Sequence, residues 1–321
     1  MILQRRLLFV TGKGGVGKTT VAAAIADLAA ASGRRTLLVE MDAKGAVAAA
    51  FDAPPLGFTP VEVQPNLFAM AMNTEDSLRE YLKVVARIPL VGRIGPLART
   101  FDFVADAAPG VKEILAIGKV CYEVREHHYD LVVVDAEASG HIVAQIDAPR
   151  AIRELVQVGM VRDQTDWMLA ILGDPAVTGL VAVTTAEEMP VVETLELVGK
   201  VRSGTDVDVT ALVANRVPTR WFGEADDAVL DALMADPVQE RLADAVGVKA
   251  AGGVVSVFRA AHMARTRRQM AEGHLARLTA GLTPPVPLTV VPEVQARAGG
   301  RRVVSLVADV LRDEWVGEDP S

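Results

Sequence analysis

Short apolar runs recur along this chain, separated by segments of helical period. The runs are Leu7–Val10, Thr36–Val39, Leu67–Met72, Leu131–Val134, Leu180–Thr184, Ala211–Ala214 and Pro287–Val291. Several are apolar throughout and do not alternate, which is the pattern of strands buried on both faces of a parallel sheet. Strand alternating with helix predicts a doubly wound α/β fold, with ligands at the carboxyl ends of the strands. The expected organisation is one domain over residues 1–321, with helical insertions at about 74–126 and 151–176. The first insertion holds an amphipathic segment around Ser77–Lys83, a break at Pro89, Gly92, Gly95 and Pro96, and a second helix near Val111–Arg125. The second insertion carries Trp167, Met168 and Leu169. The alternative is that both are ordinary covering helices. The acidic tail Asp313–Ser321 is expected to fray.

Composition narrows this picture. Of 321 residues, 50% are hydrophobic but only 4% aromatic, and much of the apolar fraction is alanine. No apolar run reaches the roughly 18–20 residues that cross a bilayer, so no direct membrane insertion is expected. The first apolar run ends in a glycine loop and not at a cleavage site, as a first strand does and a signal peptide does not. A net charge of −8 argues against nonspecific nucleic-acid binding. Cys121 is the only cysteine, which excludes an intrachain disulfide and a multi-cysteine metal site and fits a cytoplasmic location.

Candidate chemistry starts at the first strand. It runs into Thr11-Gly12-Lys13-Gly14-Gly15-Val16-Gly17-Lys18-Thr19-Thr20, and an alanine-rich helix follows. Strand, glycine loop and helix in that order are the context of a phosphate-binding loop. Glycines let backbone N–H groups converge on phosphate oxygens at a helix N-terminus. Lys18 is expected at the β- and γ-phosphates, and the Thr19 hydroxyl on Mg²⁺. The expected cofactors are therefore ATP and Mg²⁺, held by Gly12 through Thr20.

Two acidic turns follow later strands. In Val39-Glu40-Met41-Asp42-Ala43-Lys44-Gly45, Asp42 stands where a carboxylate orients or deprotonates the attacking water; alternatively it caps the next helix. In Asp135-Ala136-Glu137-Ala138-Ser139-Gly140-His141, Asp135 closes an apolar strand, the position of a second Mg²⁺ anchor. Gly140 is placed to donate its N–H to a γ-phosphate. Glu137 is an extra base or ion-pair partner, and His141 a packed loop residue. Asn215 ends another strand with an amide suited to an adenine edge, and Pro292, Glu293 and Val294 follow the last strand toward the same purine.

Together these segments resemble the arsenite-pump and tail-anchored-protein targeting ATPases. That branch of the deviant phosphate-loop class is related to nitrogenase iron protein and the division-site ATPases. Gly12 to Thr20 matches the loop, Asp42 with Phe51 the first switch, and Asp135 to His141 the family's DTAPTGH. Thr184-Thr185-Ala186-Glu187-Glu188 with Glu193-Thr194, the segment Ala108 to Glu113, and Asn215 match further elements. The resemblance implies a dimeric ATPase in which Lys13 reaches the facing subunit's nucleotide, so Asp42, Lys18 and Lys13 are the expected catalytic residues. Thr19, Asp42 and Asp135 are the expected metal site. It also implies a homodimer, or a heterodimer with a homologous ATPase, whose helical lobes move with nucleotide state and engage a membrane-protein client or membrane partner.

Departures restrict the transfer. Asp42-Ala43-Lys44-Gly45 replaces DPAH, and Ala136, Glu137 and Ala138 replace Thr, Ala and Pro. The zinc and metalloid cysteines and the methionine-rich helix are absent. The alternative is a hydrolysis-weakened regulatory subunit paired with a more active homologue. A division-site role fits poorly with the acidic C-terminus.

Overall fold

The computed structural model describes residues 2–84, 110–156, 158–234, 238, 240–241, 244–245, 248–294 and 299–316. The break at Pro89–Pro96, the start of the segment Ala108–Glu113 and the tail beyond Val316 lie outside these.

Among the described residues the chain forms an eight-stranded sheet. Its strands are β1 (Leu7–Gly12), β2 (Thr36–Glu40), β3 (Val61–Gln64), β4 (Leu67–Ala71), β5 (Leu131–Ala138), β6 (Thr178–Thr185), β7 (Val209–Val217) and β8 (Leu288–Pro292). Their order is β3-β4-β2-β5-β1-β6-β7-β8. Every pairing is parallel except β3 with β4. The doubly wound, mostly parallel α/β sheet is as expected. Seven strands fall where the apolar runs lie. β3 was not foreseen: Val-Glu-Val-Gln is a half-exposed edge hairpin arm with no continuous apolar run.

The helices are α1 (Lys18–Ala31), α2 (Ala46–Ala50), α3 (Thr74–Val84), α4 (Val111–Arg125), α5 (Ser139–Leu155), α6 (Met160–Leu172), α7 (Glu188–Gly204), α8 (Glu224–Leu233), α9 (Val248–Ala280) and α10 (Arg301–Trp315). They cover both faces of the sheet. Leu7 and Phe9 of β1 face a core shared with Ile117, Val120 and Val124 of α4, Ile142 and Ile146 of α5, and Val198 of α7. Leu8 and Val10 face the opposite core, built from α1 and α10. There the alanines of α1 are useful: Ala22 to Ala26 and Ala29 are buried, and small side chains let α1 lie close to both the sheet and α10. The burial of Val304, Val307, Ala308 and Leu311 is the i, i+3, i+4, i+7 stripe of an amphipathic helix.

α9 is 33 residues long and was not singled out from the sequence. Among its described side chains the buried apolar positions, Ala271, Leu275 and Leu278, lie in its final turns, so the described part of the helix before them has no core stripe to recognise. The central position of β1, between β5 and β6, brings the loop after β1 beside the carboxyl ends of both neighbours. That is where a doubly wound sheet collects ligands.

Candidate functional site

β1 passes into α1 through Lys13–Gly17 with almost no room to spare. A Cβ at Gly12 would lie 2.1 Å from the Val183 carbonyl oxygen of β6, so only glycine fits. Gly17, the N-cap of α1, has φ +94° and would place a Cβ 2.3 Å from Asn215 Nδ2. The loop's carbonyls are occupied from behind. Asn215 Nδ2 donates to Val16 O at 2.9 Å, Arg216 Nη1 to Gly15 O at 3.2 Å, and Lys18 Nζ to Lys13 O at 3.4 Å. Backbone N–H groups at the start of α1, from Lys18 through Thr20, have no carbonyl one turn earlier and so remain for an anion.

Thr19 and Asp135 meet at the head of the loop. Thr19 Oγ1 donates to Asp135 Oδ2 at 2.6 Å, joining α1 to the end of β5. Asp135 is buried, and its Oδ1 has no partner. Burial pushes this carboxyl up to about 6; the Thr19 hydrogen bond and Lys18 oppose the shift, and Glu40 and Asp42 add to it. Burial draws Lys18 below the ordinary lysine range, against the pull of Asp135 and Asp42. A hydroxyl and a carboxylate with an unsatisfied buried oxygen are hard oxygen donors and fit Mg²⁺.

The first turn is built differently. Asp42 is exposed and ion-paired with Lys44. Ala43 and Gly45 have φ of +46° and +78°, so the chain makes a left-handed turn before α2. Asp42 makes no cap on α2. The backbone N–H of Ala46 instead donates to Glu40 Oε1 at 2.7 Å. Glu40 was missed in the sequence; the signal was an acid closing the apolar run of β2. Lys44 is raised above the ordinary lysine range by its hydrogen bond to Asp42.

In the second turn, Thr11 Oγ1 donates to the Glu137 carbonyl at 2.9 Å, and Gln145 Nε2 to Glu137 Oε1 at 2.8 Å. Gly140 lies in the first turn of α5, and His141 is exposed beside it. β5 therefore runs straight into a helix, with the helix's free N–H groups beyond Asp135.

The remaining candidates line the rim beside the loop. A cavity of about 340 Å³ is bounded by Lys13, Gly15, Thr185, Arg216, Arg267 and Glu293, among others. Asn215 is buried behind this rim. Besides bracing Val16, it accepts from the Arg216 N–H at 3.0 Å. Pro292 ends β8, and Glu293 N donates to Val217 O at 2.8 Å while its carboxylate pairs with Arg267 at 3.7 Å. Val294 packs against the α1–α10 core. Lys13 does not point away from its own subunit: its Nζ is 2.6 Å from Glu193 Oε1 of α7. A larger cavity, about 630 Å³, lies between α3, α4, α5 and α6, lined by Lys119, Tyr122, Trp167 and Met168 among others. None of the phosphate-loop residues borders it, so size alone does not mark the site.

Residues 5–164 match the model of the family described as "Anion-transporting ATPase". The chain is similar to ATPase BagA of Mycobacterium tuberculosis, 32% identical over 222 residues, or 66% of this chain and 65% of the relative. It is also similar to ATPase ASNA1 homolog 1 of Paramecium tetraurelia, 29% identical over 158 residues, 47% of each. The chain thus spans less than two thirds of the length of these relatives.

Proposed function

We propose that this chain, which matches the anion-transporting ATPase family over residues 5–164, belongs to that family, binds MgATP at Gly12–Thr20 and hydrolyses it as one half of a two-subunit switch. The observation that carries the reading is the 2.6 Å contact between Thr19 and Asp135 at the head of a loop whose carbonyls are turned back. In this reading the phosphates lie on the loop N–H groups and Lys18. Thr19 and Asp135 hold Mg²⁺, which when bound withdraws charge from the phosphate oxygens. Asp42 orients or deprotonates the attacking water, and Gly140 reports the γ-phosphate from the start of α5. Lys13 leaves Glu193 and reaches the nucleotide of the facing subunit, neutralising charge as an arginine finger does. Asn215, Pro292, Glu293 and Val294 form the base side.

The helical segments between β4 and β6 would respond to nucleotide and engage a membrane-protein client or membrane partner. No helix among the described residues is long and apolar enough to cross a membrane. The test measures oligomeric mass and ATP turnover on one sample, with and without MgATP. Dimerisation on MgATP with turnover that rises with protein concentration is expected; a monomer with concentration-independent turnover would refute the two-subunit mechanism. A second reading, a regulatory subunit with weak hydrolysis, is favoured by the Asp42–Lys44 ion pair. It predicts tight MgATP binding with turnover only when a homologous partner is added.

A further inference from the structure

Glu40 ends β2 two residues before Asp42 and is 2% exposed. One oxygen, Oε1, holds the Ala46 N–H; the other, Oε2, is buried without a partner. In the parallel pairing of β2 with β5, Glu40 stands opposite Asp135. The two strands are tied further at this point, since Met41 N donates to Asp135 O at 3.1 Å; on the other side of β2, Met72, just after β4, donates its N–H to Glu40 O at 2.8 Å. Register partners on adjacent parallel strands share a face, so the carboxylates of Glu40 and Asp135 are neighbours. Each leaves one buried oxygen unsatisfied: Glu40 Oε2 and Asp135 Oδ1.

Two adjacent buried carboxylates repel each other, and each orphaned oxygen has a desolvation cost with no compensating bond. Capping α2 requires only one acceptor oxygen, and a neutral glutamine would provide it. The second oxygen and the charge have no structural purpose in the fold. Lys18 acts on Asp135, and it is itself drawn below its usual range by burial. A hard divalent cation with its water shell would answer both orphaned oxygens.

We infer that Glu40 is a positioning residue of the Mg²⁺ centre, an outer carboxylate beside Asp135 that also holds the first turn through Ala46. The inference rests on the MgATP reading above and adds a residue to it. Its consequence is a direct link between metal and the Asp42 turn. The same side chain that meets the metal shell on one oxygen fixes the backbone after Lys44 on the other.

The experiment titrates Mg²⁺ into the full-length chain with a fluorescent ATP analogue, following analogue binding, and repeats it in EDTA. Melting in EDTA is measured alongside. Wild type, Glu40→Gln and Glu40→Ala are compared. Glu40→Gln keeps the acceptor for Ala46 and removes the charge. Its Mg²⁺ midpoint is expected to rise about 10-fold, the usual scale for an outer-shell partner. Its metal-free form should bind the analogue at least as well as wild type and melt at or above it. Glu40→Ala should raise the midpoint similarly and melt lower, because the cap is gone. An unchanged midpoint in Glu40→Gln, with lower melting only in Glu40→Ala, would make Glu40 a helix cap and overturn the inference. Wild-type binding that is indifferent to Mg²⁺ would instead overturn the MgATP reading, and the inference with it.

Discussion

Two aspartates face the loop and are held in opposite ways. Asp135 is buried, fixed by Thr19 and backed by two strands and a helix. Asp42 sits on an exposed left-handed turn and is paired with its neighbour but one, Lys44. The first geometry is preorganised and costs nothing to assemble when ligand arrives. The second must give up an ion pair and move before it can act on a water. Exposed pairs are screened by water and contribute little, so the hold on Asp42 is weak. In the proposed reading, binding and hydrolysis are thus separated: one side of the loop is built rigid and the other is left to be arranged.

Four changes test that division, beginning with the largest effect. Asp42→Asn should lower single-site turnover by roughly 10²–10⁴-fold while MgATP affinity changes little. Equal losses in both, by calorimetry and phosphate release, would place Asp42 in binding and erase the contrast. Gly17→Ala should destabilise the fold by at least about 2 kcal/mol, from the left-handed backbone and the 2.3 Å approach to Asn215 Nδ2. Chemical denaturation checks it, and a neutral result would mean that the loop is not braced from behind.

The third change uses pH. Asp135 carries a folded value near 6, above that of an exposed aspartate, so the folded chain binds the extra proton between about pH 4 and 6. Its contribution therefore favours the metal-free fold at low pH and is lost as pH rises through 6. Mg²⁺ needs the ionised form, so the Mg²⁺ midpoint for nucleotide binding should increase severalfold between pH 7.5 and 5.5. Asp135→Asn should bind Mg²⁺ more weakly and show no such pH dependence. Smallest is Lys44→Ala, which frees Asp42 and should leave stability nearly unchanged. Turnover should rise modestly. A tenfold fall would show that Lys44 belongs to the chemistry.

The sheet was legible because β1, β5 and β6 are unbroken apolar runs, and two-sided burial permits no other pattern. The loop was legible because its glycines are demanded by geometry: Gly12 and Gly17 have no space for a Cβ. What escaped was set by contacts across the fold. Glu40 looks like any acid at a strand end until β5 brings Asp135 opposite it. The ion pair of Lys13 with Glu193 of α7, at 2.6 Å, joins residues 180 positions apart and has no local signal. The hold that Val16 has on the Asn215 amide is likewise a contact between a loop and a strand distant in sequence. Side-chain amides choose partners by tertiary position, which local pattern does not encode.

The turned-back carbonyls of Lys13, Gly15 and Val16 have a consequence for selectivity. With those acceptors engaged, the loop leaves N–H groups for a ligand, and in the proposed reading it recognises a tetrahedral oxyanion without regard to what is attached. Inorganic phosphate and sulfate should therefore compete with nucleotide, and discrimination between bases must come from the rim near Arg216 and Glu293. Released phosphate would inhibit its own production.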